Sequence, residues 1–377
     1  MHSTLLPEIE EFRQTCRRTA EKHFRPLIDQ MDQRYEFPQE VRPVLAELGA
    51  YGLPYPVEIG GAGASWLAWA IAHEESARVL PAVVGHAGVN TIVAGTILDA
   101  GTEEQVQRWV PPLLRGEVTG FFAFTEPDTG SDPSMLRTRA TRTTSGWRID
   151  GHKAWITNAR YADIGVVFAK DPDGDVSLFL VPNADERVSA AAPTKMLGLR
   201  GTGLADLHLD GVEVPEDHLL GTSGGQFKTL KRSMTTGKLA LAAQSVGIMQ
   251  AALEEAVRYA RQREQQGHPI IEFQAIRHLI AEMVSRIEAS RQMLYWAATC
   301  KDERGSDTIF EVSSTKLFVT QTAVDVVRMG LNVHGVYGIS EDTPIERMFR
   351  DAKMYELLEG SSEVQREIVG RAVHDID

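Results

Sequence analysis

Three short segments carry side chains whose types and spacing suit chemistry. The first is Met354-Tyr355-Glu356-Leu357-Leu358-Glu359-Gly360-Ser361-Ser362-Glu363-Val364-Gln365. A helix is expected to end near Leu358, Gly360 breaks it, and Ser362 with Gln365 caps a new one. Glu359 then stands at the junction, beside free backbone N–H groups. A carboxyl flanked by apolar Leu357 and Leu358 can be partly desolvated, which raises its pKa as a general base needs. A solvated glutamate at a helix end is the commoner outcome for such a residue.

The second segment is Phe122-Ala123-Phe124-Thr125-Glu126-Pro127-Asp128-Thr129-Gly130-Ser131-Asp132. It leaves a strand for a loop whose hydroxyls and N–H groups suit a phosphate or a polar ring edge. A plain strand exit shaped by Pro127, Gly130 and Asp132 would use the same residues. The third is Lys153-Ala154-Trp155-Ile156-Thr157-Asn158-Ala159. Trp155 and Thr157, on alternate strand positions, would share one face and could meet a planar cofactor. A core tryptophan is the commoner reading.

These segments need elements to position them. Up to about Glu117 the pattern is helical. Leu5, Ile9, Phe12 and Cys16 make one apolar stripe. Further helices are expected near 38–48, 66–79, 87–99 and 102–114, the last opened by a Thr102/Gln105 capping box. From about Thr119 to Pro215 the period changes. Strands are expected at 120–125, 146–150, 164–169, 176–181 and 204–209, with Asp171-Pro172-Asp173-Gly174 turning a hairpin. From Phe227 helices return, at 238–263, 273–299 and 312–329. Small Ala240, Ala242 and Ala243 permit close helix packing, as in a bundle. Helices, then strands, then helices, without βαβ alternation, give an α+β fold. The expected domains are 1–118, helical; 119–217, a small antiparallel β-barrel or sandwich; and 218–377, helical.

Composition narrows the function classes. The 377 residues carry a net charge of -13, which disfavours nucleic acid and other polyanions. Cys16 and Cys300 fall in no metal or redox-pair spacing, and so low a count suits a reducing cytoplasm. The first residues lack the apolar core of a signal peptide. No run reaches the roughly 18 apolar residues of a membrane helix. A cytoplasmic protein without metal, membrane or nucleic-acid partners is expected. No GxGxxG follows a strand, and GxxxxGK[ST], HExxH and GxSxG are absent.

In their order and spacing the three segments resemble the acyl-CoA dehydrogenase family. Thr125-Glu126-Pro127-x-x-Gly130-Ser131-Asp132 is similar to its flavin-loop signature, and Trp155-Ile156-Thr157-Asn158 to its second flavin contact. Arg263-x-Gln265-x-Gly267-x-Pro269-Ile270 with Phe273-Gln274 resembles its intersubunit cofactor segment. Arg350-Asp351-Ala352-Lys353 and Glu359-Gly360-Ser361-Ser362-Glu363-x-Gln365 resemble its C-terminal signatures. The likeness runs from about Phe12 to Gly370. It implies a helical domain, a central β domain and a C-terminal four-helix bundle, with FAD held non-covalently between the last two.

The resemblance also implies roles. Phe122, Phe124, Thr125, Trp155 and Thr157 would line the isoalloxazine ring, and Ser131 would lie near the flavin phosphates or the thioester tail. Arg263, Gln265, Phe273, Gln274 and Gly335 would reach the FAD of a neighbouring subunit in a homotetramer or dimer. Gln266, Asn332, Val336, Ser361 and Glu363 complete the cofactor set. Phe122, Ser131, Lys238, Leu358 and Gly360 would meet substrate. The implied reaction is α,β-dehydrogenation of an acyl thioester. Glu359 takes the α proton, FAD accepts the β hydride, and the Glu359 N–H and a ribityl hydroxyl hold the carbonyl oxygen. An electron-transfer flavoprotein is the usual acceptor.

Five positions depart from the family pattern: Lys238 for Arg, Gln266 for Phe, Leu358 for Tyr, and Asn332 and Val336 in a Gln-x-x-Gly-Gly-x-Gly run. Val336 adds a Cβ where backbone and cofactor approach closely. Neutral drift and a specialised substrate, such as an acyl group on a carrier protein in a biosynthetic pathway, both remain open. Two other classes stand beside them: an O₂-using flavin oxidase or monooxygenase, and a binding protein with a degraded site.

Overall fold

A computed structural model describes residues 5–132, 135–191 and 195–374 of the chain. The outer ends of the first and third expected domains, 1–4 and 375–377, lie outside the described residues. The N-terminal part consists of α1 (Pro7–His23), α2 (Ile28–Arg34), α3 (Arg42–Glu47), α4 (Trp66–Ala77), α5 (Pro81–Ala100) and α6 (Glu103–Leu114). The Thr102/Gln105 capping box is formed. The helix expected at 38–48 is instead a 3-10 turn, Gln39–Val41, followed by α3. Pro43 lacks an N–H and sits in the first turn of α3, where that donor would have no intrahelical partner anyway, so a helix starts there more readily than it runs through.

Helix α5 begins at Pro81 rather than near Ala87. It is buried nearly all round, so its sequence carries no single apolar stripe to mark its start. By length and composition α5 is apolar enough to cross a membrane, which corrects the expectation that no stretch would be. Here 78% of that window is buried inside the fold.

The middle part is one curled sheet: β1 (Gly120–Ala123), β2 (Arg139–Arg142), β3 (Gly146–Ile156), β4 (Ile164–Lys170), β5 (Val176–Pro182), β6 (Val188–Ala190) and β7 (Ala205–Pro215). The order is β1-β4-β2-β3-β7-β6, with β5 also on β4. The antiparallel expectation needs one amendment, because β1 and the first residue of β2, Arg139, pair parallel with β4. Alternation within a strand does not reveal the direction of its neighbour. Strands β2 and β6 escaped the sequence reading because they are short, and their exposed positions are polar or small. Strand β4 is buried on both faces. Val167 and Ala169 pack with Phe121 and Trp147, while Val166 and Phe168 pack with Val93, Ile97 and Leu113 of α5 and α6.

The C-terminal part holds α7 (Phe227–Gln262), a hairpin of β8 (Glu264–Gln265) and β9 (His268–Pro269), α8 (Gln274–Arg304), α9 (Ile309–His334), α10 (Pro344–Tyr355) and α11 (Ser362–His374). Helix α7 starts at Phe227, not Lys238, because packing overrides the weak helix propensity of Thr235-Thr236-Gly237. Helices α7, α8, α9 and α10 share one core with α4. A Cβ on Gly247 would lie 2.2 Å from the Glu74 carbonyl oxygen, so this glycine lets α7 cross α4 at backbone contact. Arg350 ties α10 to Asp32 of α2 at 2.8 Å, and Asp351 accepts from Leu199 N–H at 2.6 Å. The Arg-Asp-Ala-Lys signature is thus a tether between parts of the chain.

Candidate active site

Glu359 lies in the turn between α10 and α11. Its φ is 53° and that of Gly360 is 84°, two successive left-handed residues. For a glutamate this conformation costs about 1–3 kcal/mol, so the surroundings must impose it. They do so from two sides. Lys316 Nζ of α9 donates to the Gly360 carbonyl at 2.7 Å and the Glu356 carbonyl at 3.3 Å. Gln365 Nε2 of α11 donates to the carbonyls of Glu359 (3.1 Å) and Gly360 (2.9 Å). The expected Ser362/Gln365 capping box is therefore corrected. Helix α11 starts at Ser362 itself, and Gln365 turns back to hold the Glu359–Gly360 turn. Among the described residues, no carbonyl accepts from the Glu359 N–H.

The carboxyl lies over Gly237 of α7. A Cβ there would fall 2.7 Å from its carboxyl carbon and 3.0 Å from Ile92 Cδ1 of α5. Burial pushes the Glu359 pKa up, and the positive charges of Lys238 and Lys316 pull against that rise. Neither lysine forms an ion pair with it. Lys238 Nζ donates to Ser313 Oγ at 3.0 Å, and Lys316 is spent on the turn. Burial brings both lysines down to about 8, opposed by the Glu359 charge. The desolvation expected from Leu357 and Leu358 has another source. Leu357 is exposed and Leu358 half-buried, so α5, α7 and α9 supply the dry wall.

The second and third segments meet beside one another. The Thr125 carbonyl accepts from Ala154 N–H at 2.9 Å. Glu126 is buried and pairs with Lys153 Nζ at 2.8 Å. It also accepts from the N–H groups of Arg137 (2.6 Å) and Thr138 (2.9 Å). Its burial raises the pKa, but Lys153 and these donors outweigh that, and the net direction is down. Phe122 is half-buried and Phe124 buried, and both rings meet Phe168 edge-on. Ser131 is exposed. Trp155 and Thr157 do not simply alternate on a flat strand. A bulge interrupts β3 at Trp155, whose φ is 61°, and Thr157 lies beyond the strand's end, half-buried. Trp155 N–H donates to Asp206 Oδ1 at 3.3 Å, and the side chain is 56% exposed. The indole therefore belongs to the surface of the sheet, not to its core.

Models of the N-terminal, middle and C-terminal domains of acyl-CoA dehydrogenases match residues 7–117, 121–212 and 226–374. The chain belongs to the acyl-CoA dehydrogenase family. The mitochondrial short-chain specific acyl-CoA dehydrogenase of Bos taurus is 37% identical over 373 residues, covering 97% of this chain and 90% of that one. Butyryl-CoA dehydrogenase from Megasphaera elsdenii superposes with a TM-score of 0.94 at 31% identity, covering 99% of this chain and 100% of that one. An acyl-CoA dehydrogenase from Bacillus anthracis, complexed with FAD, has a TM-score of 0.92 at 27% identity, covering 98% of this chain and 67% of that one.

In this acyl-CoA dehydrogenase chain a further group of expected residues gathers around the β8–β9 hairpin. Gln266 (φ 53°) and Gly267 (φ 79°) are the central residues of a two-residue turn that needs positive φ at both positions. The Arg263 guanidinium sits over Tyr337, 5.6 Å from the ring centroid, and Gln265 pairs with His268. Gln274 opens α8 and is exposed, while Phe273 turns partly into the bundle core. Asn332 is exposed near the end of α9, Gly335 ends that helix at φ 62°, and Val336 and Ile339 are 76% and 75% exposed. Ser361 is half-buried, and exposed Glu363 pairs with Arg366 at 3.2 Å.

Sequence reasoning missed Gly237, Lys316, the Glu126–Lys153 pair and Asp206, and it gave Asn158 no structural role. For Lys316 a signal existed. It falls on the apolar stripe Val312, Val319, Ala323 of α9, where an unpaired cation is costly.

Proposed function

We propose that this chain is an FAD-dependent dehydrogenase of acyl-CoA thioesters, with Glu359 as the base that takes the α proton. The observation that carries the reading is the Glu359 carboxyl, held by a strained turn over Gly237 with its pKa raised by burial. A raised pKa makes the carboxylate a stronger base near neutral pH. The free Glu359 N–H suits a thioester carbonyl oxygen. Holding the charge that develops there is worth on the order of 3 kcal/mol.

The residues present fit FAD. An exposed tryptophan fixed by a bulge, beside half-buried Thr125 and Thr157 hydroxyls, offers a flat apolar face with polar edges. Trp155, Thr125 and Thr157 would hold the ring, and the 129–132 loop would face the polar tail. When bound, FAD supplies a two-electron acceptor for the β hydrogen and its electron pair. The chain's own part is to orient the acyl group, exclude water and hold the α proton on a Glu359 carboxyl oxygen. Proton and electron pair thus leave adjacent carbons, and a double bond forms between them.

A homotetramer or dimer is part of this proposal. Val336, Tyr337 and Ile339 form an exposed apolar patch beside Arg263 and Gln265, which suits burial against a neighbouring subunit. An electron-transfer flavoprotein is the proposed acceptor, and the cytoplasm the proposed compartment.

The test is anaerobic titration of the purified yellow protein with CoA thioesters of graded length, followed at the flavin band. The expected result is bleaching by at least one short acyl-CoA. No bleaching by any CoA thioester, with bleaching by the same acyl groups on a carrier protein, would move the substrate to the carrier. Hydrogen peroxide formed in step with turnover would move the enzyme to the oxidase class.

A further inference from the structure

Asn158, the residue after Thr157, is fully buried and lies at φ 67°. Its Nδ2 donates to the carbonyls of Gly120 at 3.0 Å and His86 at 3.2 Å. With both amide hydrogens on carbonyl oxygens, Oδ1 must face His86 as an acceptor, 2.8 Å from Nδ1. Neutral His86 therefore carries its proton on Nδ1, and Nε2 is a bare lone pair with no partner. The ring stacks on Phe37 at 4.1 Å and meets Tyr51 edge-on. Burial lowers its pKa to about 4, the Asn158 bond and Asp163 working against that and Arg42 with it. Near neutral pH the ring is neutral, with its proton on Nδ1 toward Asn158. The Asn158 backbone is tied as well, its N–H to Thr202 and its carbonyl to the N–H groups of Tyr161 and Ala162.

We propose that His86 is a positioning residue for the cofactor. By holding Asn158, it fixes the turn bearing Trp155 and Thr157 in register with α5 and β1. Helix α5 also carries Ile92, which touches the Gly237 site under the Glu359 carboxyl. One helix therefore sets both the ring contact and the base in a single frame. The inference rests on the flavin reading of Trp155 and Thr157.

A merely structural histidine would affect stability alone, and His73 of α4 supplies that control. It is equally buried and its pKa falls to about 3 through burial, yet its partners are the Ala50 carbonyl and Gln244. The experiment compares the FAD dissociation constant and the visible spectrum of wild type, His86→Leu, His86→Gln and His73→Leu, well below each unfolding temperature. His86→Leu should weaken FAD binding about tenfold, the size of one lost buried hydrogen bond, and alter the shape of the flavin band. His86→Gln, whose amide can donate to Asn158, should restore most of it. His73→Leu should lose thermal stability but bind FAD within about twofold of wild type. Should His86→Leu not fold, Asn158→Asp, which lacks the two amide donors, should show the same weakening. Wild-type affinity and spectrum in the His86 or Asn158 variants, or an equal loss in His73→Leu, would overturn the proposal. A wild-type protein that binds no FAD would instead overturn the flavin reading beneath it.

Discussion

The Glu126 and Glu359 carboxyls are both desolvated, although Glu359 as a residue is only half-buried, and they end on opposite sides of the ordinary glutamate pKa. Burial raises both. Glu126 has a lysine at 2.8 Å and two backbone donors, so it stays ionised and holds a loop. Glu359 has two lysines nearby, but Ser313 takes one and the Gly360 carbonyl the other. Its charge is eased without being satisfied. Beyond how deeply each carboxyl is desolvated, the two differ in where the neighbouring ammonium groups make their hydrogen bonds.

Four experiments break or sharpen that contrast. The largest effect should come from Glu359→Gln, which keeps shape and FAD but removes the base. Flavin reduction in stopped flow should fall by about 10²–10⁴. Next, Lys153→Met strands the buried Glu126 charge and should cost about 3–5 kcal/mol in denaturant unfolding. The smaller Gly237→Ala change places a methyl where the carboxyl now lies. The obstacle is the end of a flexible side chain, so the fold should survive. The rate should still drop on the order of 10²-fold as the base is displaced.

The smallest effect is in the pH profile. The base must be ionised, so the reduction rate should rise with pH through the raised Glu359 pKa. Lys238→Met removes a charge that favours the carboxylate, so the acidic limb should move to higher pH. Ser313→Ala, which frees Lys238 to turn toward Glu359, should move it to lower pH.

Much of this was legible in the sequence. The three-part fold followed from a change of period, and the strand-to-loop and helix-junction segments supplied the candidate site residues. The sources of misreading are physical. Helix α5 is buried all round, so its period is hidden, and α7 extends through Thr235-Thr236-Gly237 because its neighbours pack it there. The bulge at Trp155 depends on pairing with β7, which no local pattern records. The dry wall around Glu359 comes from residues more than a hundred positions away, such as Ile92 and Gly237, and not from adjacent Leu357. Gln365 was visible as a capping residue, but only the folded turn reveals that it serves the Glu359 carbonyl.

The central claim is that Glu359 removes the α proton. An acyl-CoA with α hydrogens and a fully substituted β carbon separates that step from oxidation. Its α-hydrogen exchange in D₂O, followed by NMR, tests the claim directly. Wild-type protein should catalyse exchange and Glu359→Gln, with FAD bound, should not. Equal exchange by both proteins would contradict the account.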